Sequence, residues 1–152
     1  MEALSAREVS ELPNIKSAAK RDALSKAQNA AKKLRERCAE YDKAIMRLYK
    51  KVKDICATYG AYEVIVPQTA QEMLAEGEAM HNCIGHCYAP RQGREDLCIF
   101  LHKDGKPCVD IRIDLKTFAL MECRAVCNKQ ADDSAWAVAR QLAEMCRARL
   151  AA

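Results

Sequence analysis

Leu97-Cys98-Ile99-Phe100-Leu101-His102, then Lys103-Asp104-Gly105-Lys106, then Pro107-Cys108-Val109-Asp110-Ile111-Arg112-Ile113-Asp114, is the stretch that decides the fold of this chain. Asp-Gly between two apolar runs is a strong hairpin signal, because a two-residue type I′ turn needs positive φ at both central positions. In the second run Val109, Ile111 and Ile113 face one way, and Asp110, Arg112 and Asp114 the other. A third run, Phe118 to Val126, follows Leu115-Lys116-Thr117 and predicts an antiparallel meander.

Upstream, Tyr62, Val64 and Val66 alternate with Glu63 and Ile65 and meet Pro67, which predicts a short strand that the proline ends. Gln68-Thr69-Ala70-Gln71-Glu72 then offers Thr69 as cap with Glu72 three residues on, a capping box for a helix reaching about Met80. Downstream, Asp132-Asp133-Ser134 precedes a helix with Trp136, Val138, Ala139, Leu142, Met145, Cys146 and Leu150 on its apolar stripe. Residues 61–152 therefore read as an α+β body, a small antiparallel sheet covered by helices on one face.

Residues 1–60 read differently. From Asn14 to Tyr59 there is no Gly and no Pro. Leu24, Ala27, Ala31, Leu34, Cys38, Tyr41, Ile45, Leu48, Val52, Ile55 and Tyr59 recur three and four apart. That spacing is a coiled-coil seam, with Pro13-Asn14 as its start and Gly60 as its stop. A helical hairpin broken near residues 18–26 fits the same pattern. Ser5-Ala6-Arg7-Glu8 suits a capping box for a short helix ahead of it, ending near Leu12. Bulky residues in the second half of the seam predict packing on the body, whereas the small-residue half predicts a partner or self-association surface within helix 24–59.

Charge divides along the same line, +6 over residues 1–60 and −2 over residues 61–152. Lys32, Lys33, Arg35 and Arg37 are the candidate nucleic-acid-binding residues, since lysines and arginines on one arm can neutralise phosphates. Such residues also serve simply as the wet face of a helix. Hydrophobic residues make up 50% of the 152 positions, which suits a folded core and excludes a disordered chain. No apolar run of about 18 residues exists. The acidic N-terminus does not resemble a signal peptide. These features, with nine scattered cysteines, predict a cytoplasmic protein of mostly reduced thiols.

Imidazole and thiol chemistry concentrates in Glu76-Gly77-Glu78-Ala79-Met80-His81-Asn82-Cys83-Ile84-Gly85-His86-Cys87-Tyr88. One reading is zinc, held by Cys83, Cys87, Cys123 and Cys127 at x3 spacings with His81 or His86 as substitutes. No other cofactor is implied. A second reading is a nucleophile: Cys83 with His81 or His102 as base, Glu76 as orienter, and backbone N–H groups near Gly85 for an oxyanion. A third leaves His81 and Cys83 buried, the imidazole bonded to a strand carbonyl or Glu76, with Gly85 in a tight connecting turn.

Tyr62-Glu63-Val64-Ile65-Val66-Pro67, Glu76-Gly77, His81-Asn82-Cys83-Ile84-Gly85, Tyr88, the hairpin and Asn128 together resemble the PcfJ-like family of plasmid and phage proteins, over roughly residues 45–150. The resemblance implies a mobile-element accessory protein. In those relatives the second strand usually carries Thr and Glu and the third a Gln. Asp110 and Arg112 on the second strand and Glu122 on the third depart from that pattern, keeping a polar pair across the strands with its charge rearranged. The expected catalytic set is Glu76, His81, Cys83, Arg112 and Glu122, close together on one pocket. With no P-loop and no Ser-His-Asp order, a binding module for nucleic acid or a protein ranks ahead of an enzyme.

Overall fold

A computed structural model describes the backbone of residues 6–151 and the side chains of residues 17–151. The chain divides into two compact units, Met1–Arg37 and Cys38–Ala152. Helix α1 spans Ala6–Val52. It therefore runs through Pro13 rather than starting there, and the short helix expected before it is part of the same element. The capping box expected at Ser5 lies outside the described residues. No break occurs near residues 18–26. The helix stops short of Gly60, because Val52 leads into a 3-10 turn, Lys53–Ile55, and Tyr59 belongs to strand β1, Thr58–Tyr59.

In the first unit every described side chain from Ser17 to Arg37 is exposed. In the second, Cys38, Ile45, Leu48, Val52 and Ile55 of the seam are buried and Tyr41 is half-buried.

Five strands form one antiparallel sheet in sequence order: β1, β2 (Tyr62–Ile65), β3 (Asp96–Lys103), β4 (Lys106–Asp114) and β5 (Leu120–Ala125). Lys103 pairs with Lys106, and Asp104 and Gly105 both have positive φ, so the hairpin is the two-residue turn that Asp-Gly predicts. Helix α2 is Ala70–Met80, α3 Ile84–Tyr88 and α4 Asp133–Leu150. At the start of α2, Glu72 N–H donates to Thr69 Oγ1 at 3.2 Å and Gln68 N–H to Glu72 Oε2 at 2.8 Å. The capping box thus forms, with its reciprocal bond one residue earlier than the usual pattern.

Helices cover both faces of the sheet, not the one face the alternation suggests. Leu97, Ile99, Leu101, Val109, Ile111 and Ile113 pack with Ala135, Ala139, Leu142 and Cys146 of α4 and with Leu48 and Val52. On the other face Cys98 and Phe100 join Met73, Ile84, Cys38 and Ile45. The reason lies in β3, which is buried at every position from Asp96 to Leu101 and needs apolar cover on both sides. Strand β2 is too short to pair with Cys98. The buried Gln92 amide takes its place, accepting from Cys98 N–H at 2.7 Å and donating to Cys98 C=O at 3.1 Å. Among the described residues no helix is long and apolar enough to cross a membrane.

Candidate functional site

The site begins at the crossing of α2 and α3. A Cβ on Gly85 would stand 2.5 Å from Leu74 Cα, so only glycine lets α3 lie against the backbone of α2. Gly85 is thus a packing residue inside α3, not the tight turn expected of it. The turn sits earlier. Asn82 N–H bonds Gly77 C=O at 3.0 Å and His81 N–H bonds Glu78 C=O at 3.4 Å, with His81 left-handed at φ 54°. This is a Schellman ending in which histidine holds the place glycine usually takes. It turns the chain so that Asn82 Oδ1 accepts from Ile84 N–H at 3.1 Å while Asn82 Nδ2 donates to Asp110 Oδ2 at 2.8 Å.

The strands bring the opposite wall. Arg112 lies directly across from Glu122, and Asp110 across from Arg124. Arg112 donates to Glu122 at 3.2 Å and to the buried Asp96 at 3.4 Å, and its guanidinium stacks 5.0 Å from the centre of the Tyr88 ring. Burial pulls the Arg112 pKa down, but Glu122, Tyr88 and Asp96 outweigh it and hold the guanidinium above its ordinary value. The β4–β5 register slips beside this pair, between Arg112 and Ile113, and bulges of this kind re-aim side chains next to sites. Beyond β5, Cys127 and Asn128 both adopt positive φ in a tight turn closed by Lys129 N–H to Val126 C=O at 3.4 Å. Strain of that sort clusters at functional surfaces. Asn82, Cys83, Ile84, Tyr88, Asp110, Ile111, Arg112, Glu122, Arg124 and Asn128 enclose a cavity of about 340 Å³.

Behind the cavity lies a buried acid–base cluster. His102 Nε2 bonds Glu76 Oε1, and the Glu76 and Asp110 side chains hydrogen-bond one another. Glu76 and Asp110 are each 4% exposed. Burial raises the pKa of Glu76, with the Asp110 hydrogen bond opposing. Burial first and then the Glu76 charge raise that of Asp110, against the pull of Asn82. Burial lowers His102, partly offset by Asp110 and Glu63. Two carboxyls so placed favour holding one proton between them.

Of the expected set, Cys83, Arg112 and Glu122 line one cavity. Glu76 does not; it lines a neighbouring groove with His102, and the imidazole it meets is His102 and not His81. His81 is exposed and lines neither hollow, because its backbone role as helix cap points the chain away there. Cys83 is likewise exposed, not buried. The nucleophile set is therefore split, with the thiol on one hollow and His102 with Glu76 on the other.

The four cysteines expected for zinc are also not gathered. Cys123 sits in the core against α4, while Cys83, Cys87 and Cys127 are exposed. Among the described residues no three His, Cys, Asp or Glu side chains form a group able to hold a metal. Cys87 has its pKa raised, first by a hydrogen bond with Cys83.

Sequence reasoning missed Asn82, Asp110 in its buried role, and the His102–Glu76 pair. An asparagine two residues before a helix N–H it can cap was a signal for the first. Lys32, Lys33, Arg35 and Arg37 are all exposed on α1 in the first unit, and none of them lines either hollow.

A family model described as PcfJ-like protein matches residues 7–138, so the chain belongs to that family. The match reaches further into α1 than the motif resemblance did and ends within α4. No curated protein and no solved structure matches the chain.

Proposed function

We propose that this PcfJ-like protein is an accessory binding module of a plasmid or phage, and that residues 17–37 hold the phosphate backbone of nucleic acid. One observation carries the reading. Over those residues Lys20, Arg21, Lys26, Lys32, Lys33, Arg35 and Arg37 stand against Asp22 and Glu36, and every one of these side chains is exposed. A surface that is +5 over about six helical turns attracts phosphates by releasing their counterions, without reading base sequence.

The test is binding of double- and single-stranded DNA and of RNA across a salt series. Affinity should fall steeply between about 50 and 200 mM salt with little dependence on sequence. Replacing Lys32, Lys33, Arg35 and Arg37 together by Gln should weaken binding and flatten the slope by up to about 0.9 for each phosphate no longer neutralised. No binding to any of the three at the lowest salt overturns the reading.

A second reading of the same segment is favoured by Leu24 and Leu34, 58% and 41% exposed at seam spacing with Ala27 and Ala31 between them. Two such helices can pair through that stripe. Sedimentation should then show a dimer that Leu34→Asp returns to monomer, and a wild-type monomer removes self-association.

A further inference from the structure

Two hollows on one side of the sheet share a line of hydrogen-bonding groups. His102 and Glu76 line a groove of about 270 Å³ together with Ile65 and Phe100. Asp110 lines the cavity of about 340 Å³ that also holds Cys83 and Arg112. Between them His102 Nε2 meets Glu76, Glu76 meets Asp110, and Asn82 Nδ2 fixes Asp110 Oδ2 at 2.8 Å. One atom in this line is left without a donor. Asp110 Oδ1 is buried and has no hydrogen-bond partner when both carboxyls are counted as ionised. A buried acceptor left unmade is costly. A proton placed between the two carboxyls removes that cost. Asp110 then donates an O–H to Glu76, and Glu76 stays charged and accepts Nε2–H from a neutral His102.

We infer that His102, Glu76 and Asp110 form one proton-sharing unit, and that Asp110 is the acid–base group of the cavity, giving a proton to a bound ligand's oxygen and regaining one from the His102 side through Glu76. This goes beyond the arm and does not depend on it. In the forward step the Asp110 O–H bond breaks as the ligand oxygen gains the proton. Asp110 recovers it from Glu76, which takes the Nε2 proton of His102, while His102 takes a proton from water at Nδ1. The other polar groups fit an acceptor ligand. Arg112, Arg124 and Asn128 offer N–H donors, and Glu122 is already engaged by Arg112. The ligand class is therefore one with carboxylate, carbonyl or phosphoryl oxygens.

Other charges face the unit from each neighbouring strand and helix. Glu63 of β2 pairs across from His102, Arg124 of β5 lies across from Asp110, Arg112 is beside it on β4, and Glu72 of α2 shares the groove wall. None of these supplies the missing donor to Oδ1.

The experiment reads both ends of the line in the whole protein. Infrared difference spectra at neutral pH should contain a protonated carboxylic-acid band that is absent from Asp110→Asn, a variant whose amide can donate as the acid does. At the cavity end, the rate of Cys83 alkylation by iodoacetamide, followed at peptide level, should show two inflections with pH. One is its own ionisation, and the lower one is Asp110 losing its proton. The lower inflection should vanish in Asp110→Asn and move by at least half a pH unit in Glu76→Gln and His102→Gln. A wild-type protein without the acid band overturns the proposal, and so does a lower inflection that ignores Glu76 and His102. The band is measured on wild type, so a poorly folding Glu76→Gln does not spare the idea.

Discussion

The two halves of helix α1 share one spacing and have opposite surroundings. Leu34 and Leu48 are both seam leucines; the first is 41% exposed and the second 5%. Cys38, Ile45 and Val52 face the sheet and its helices, and Gly93 approaches so closely that a Cβ there would come 2.5 Å from Ala44 C=O. Ser17–Arg37 has no such neighbours in its own unit. Periodicity thus establishes that a helix has a face. It does not say what the face meets.

The sharpest way to break this contrast is to make the same substitution twice. Leu48→Ala should cost about 2–5 kcal/mol in denaturant unfolding, the range for a large buried residue. Leu34→Ala should stay within about 0.5 kcal/mol, as surface changes do. Equal costs would mean that residues 17–37 are covered in solution and that the contrast does not hold.

A second effect sharpens the description of the body through its pH dependence. For a carboxyl whose folded pKa is raised, the folded state binds more protons than the unfolded one, so stability falls as pH rises towards the folded value. His102 is shifted the other way, and its contribution rises with pH only until the unfolded imidazole is neutral, near about 6.5. Between about pH 6.5 and 8 the carboxyls therefore dominate, and stability should decline by up to about 1.4 kcal/mol per pH unit for each retained proton. Equilibrium unfolding at several pH values checks this. Asp110→Asn should flatten the decline, and an unchanged slope would show that Asp110 is ionised throughout.

Gly85→Ala should cost about 1–3 kcal/mol, the usual penalty for overpacking, since the obstructing atoms are Leu74 backbone and cannot swing away. A thermal melt within error of wild type would show that α2 and α3 slide apart easily. Smallest of all, Gly105→Ala should cost about 1 kcal/mol, because its space is open and only the φ of 74° resists the side chain.

The sheet was largely legible. Local turn chemistry and period-2 alternation fix the β3–β4 hairpin, and the Thr69 and Glu72 pair marks the start of α2. The order of the meander follows from short connections. The candidate site was legible in part. Arg112 and Glu122 could be paired by strand alternation, and Cys83 lay in the motif that carried the resemblance. The motif also held His81, yet a left-handed backbone at that position gives His81 a capping role instead of a place in the cavity.

What the sequence determined by itself is whatever depends on neighbours within a few residues: a helix with a seam, a hairpin turning on Asp104 and Gly105, a capped α2, and a basic segment distinct from an acidic body. Tertiary structure alone decided which half of the seam is buried, that β3 is covered on both faces, and that Glu76 meets His102 from 26 residues away while Asn82 meets Asp110 from 28. The physical reason is range. Backbone propensities and caps act through local geometry, whereas burial, and with it the proton held between Glu76 and Asp110, depends on which distant surfaces exclude water from the same place.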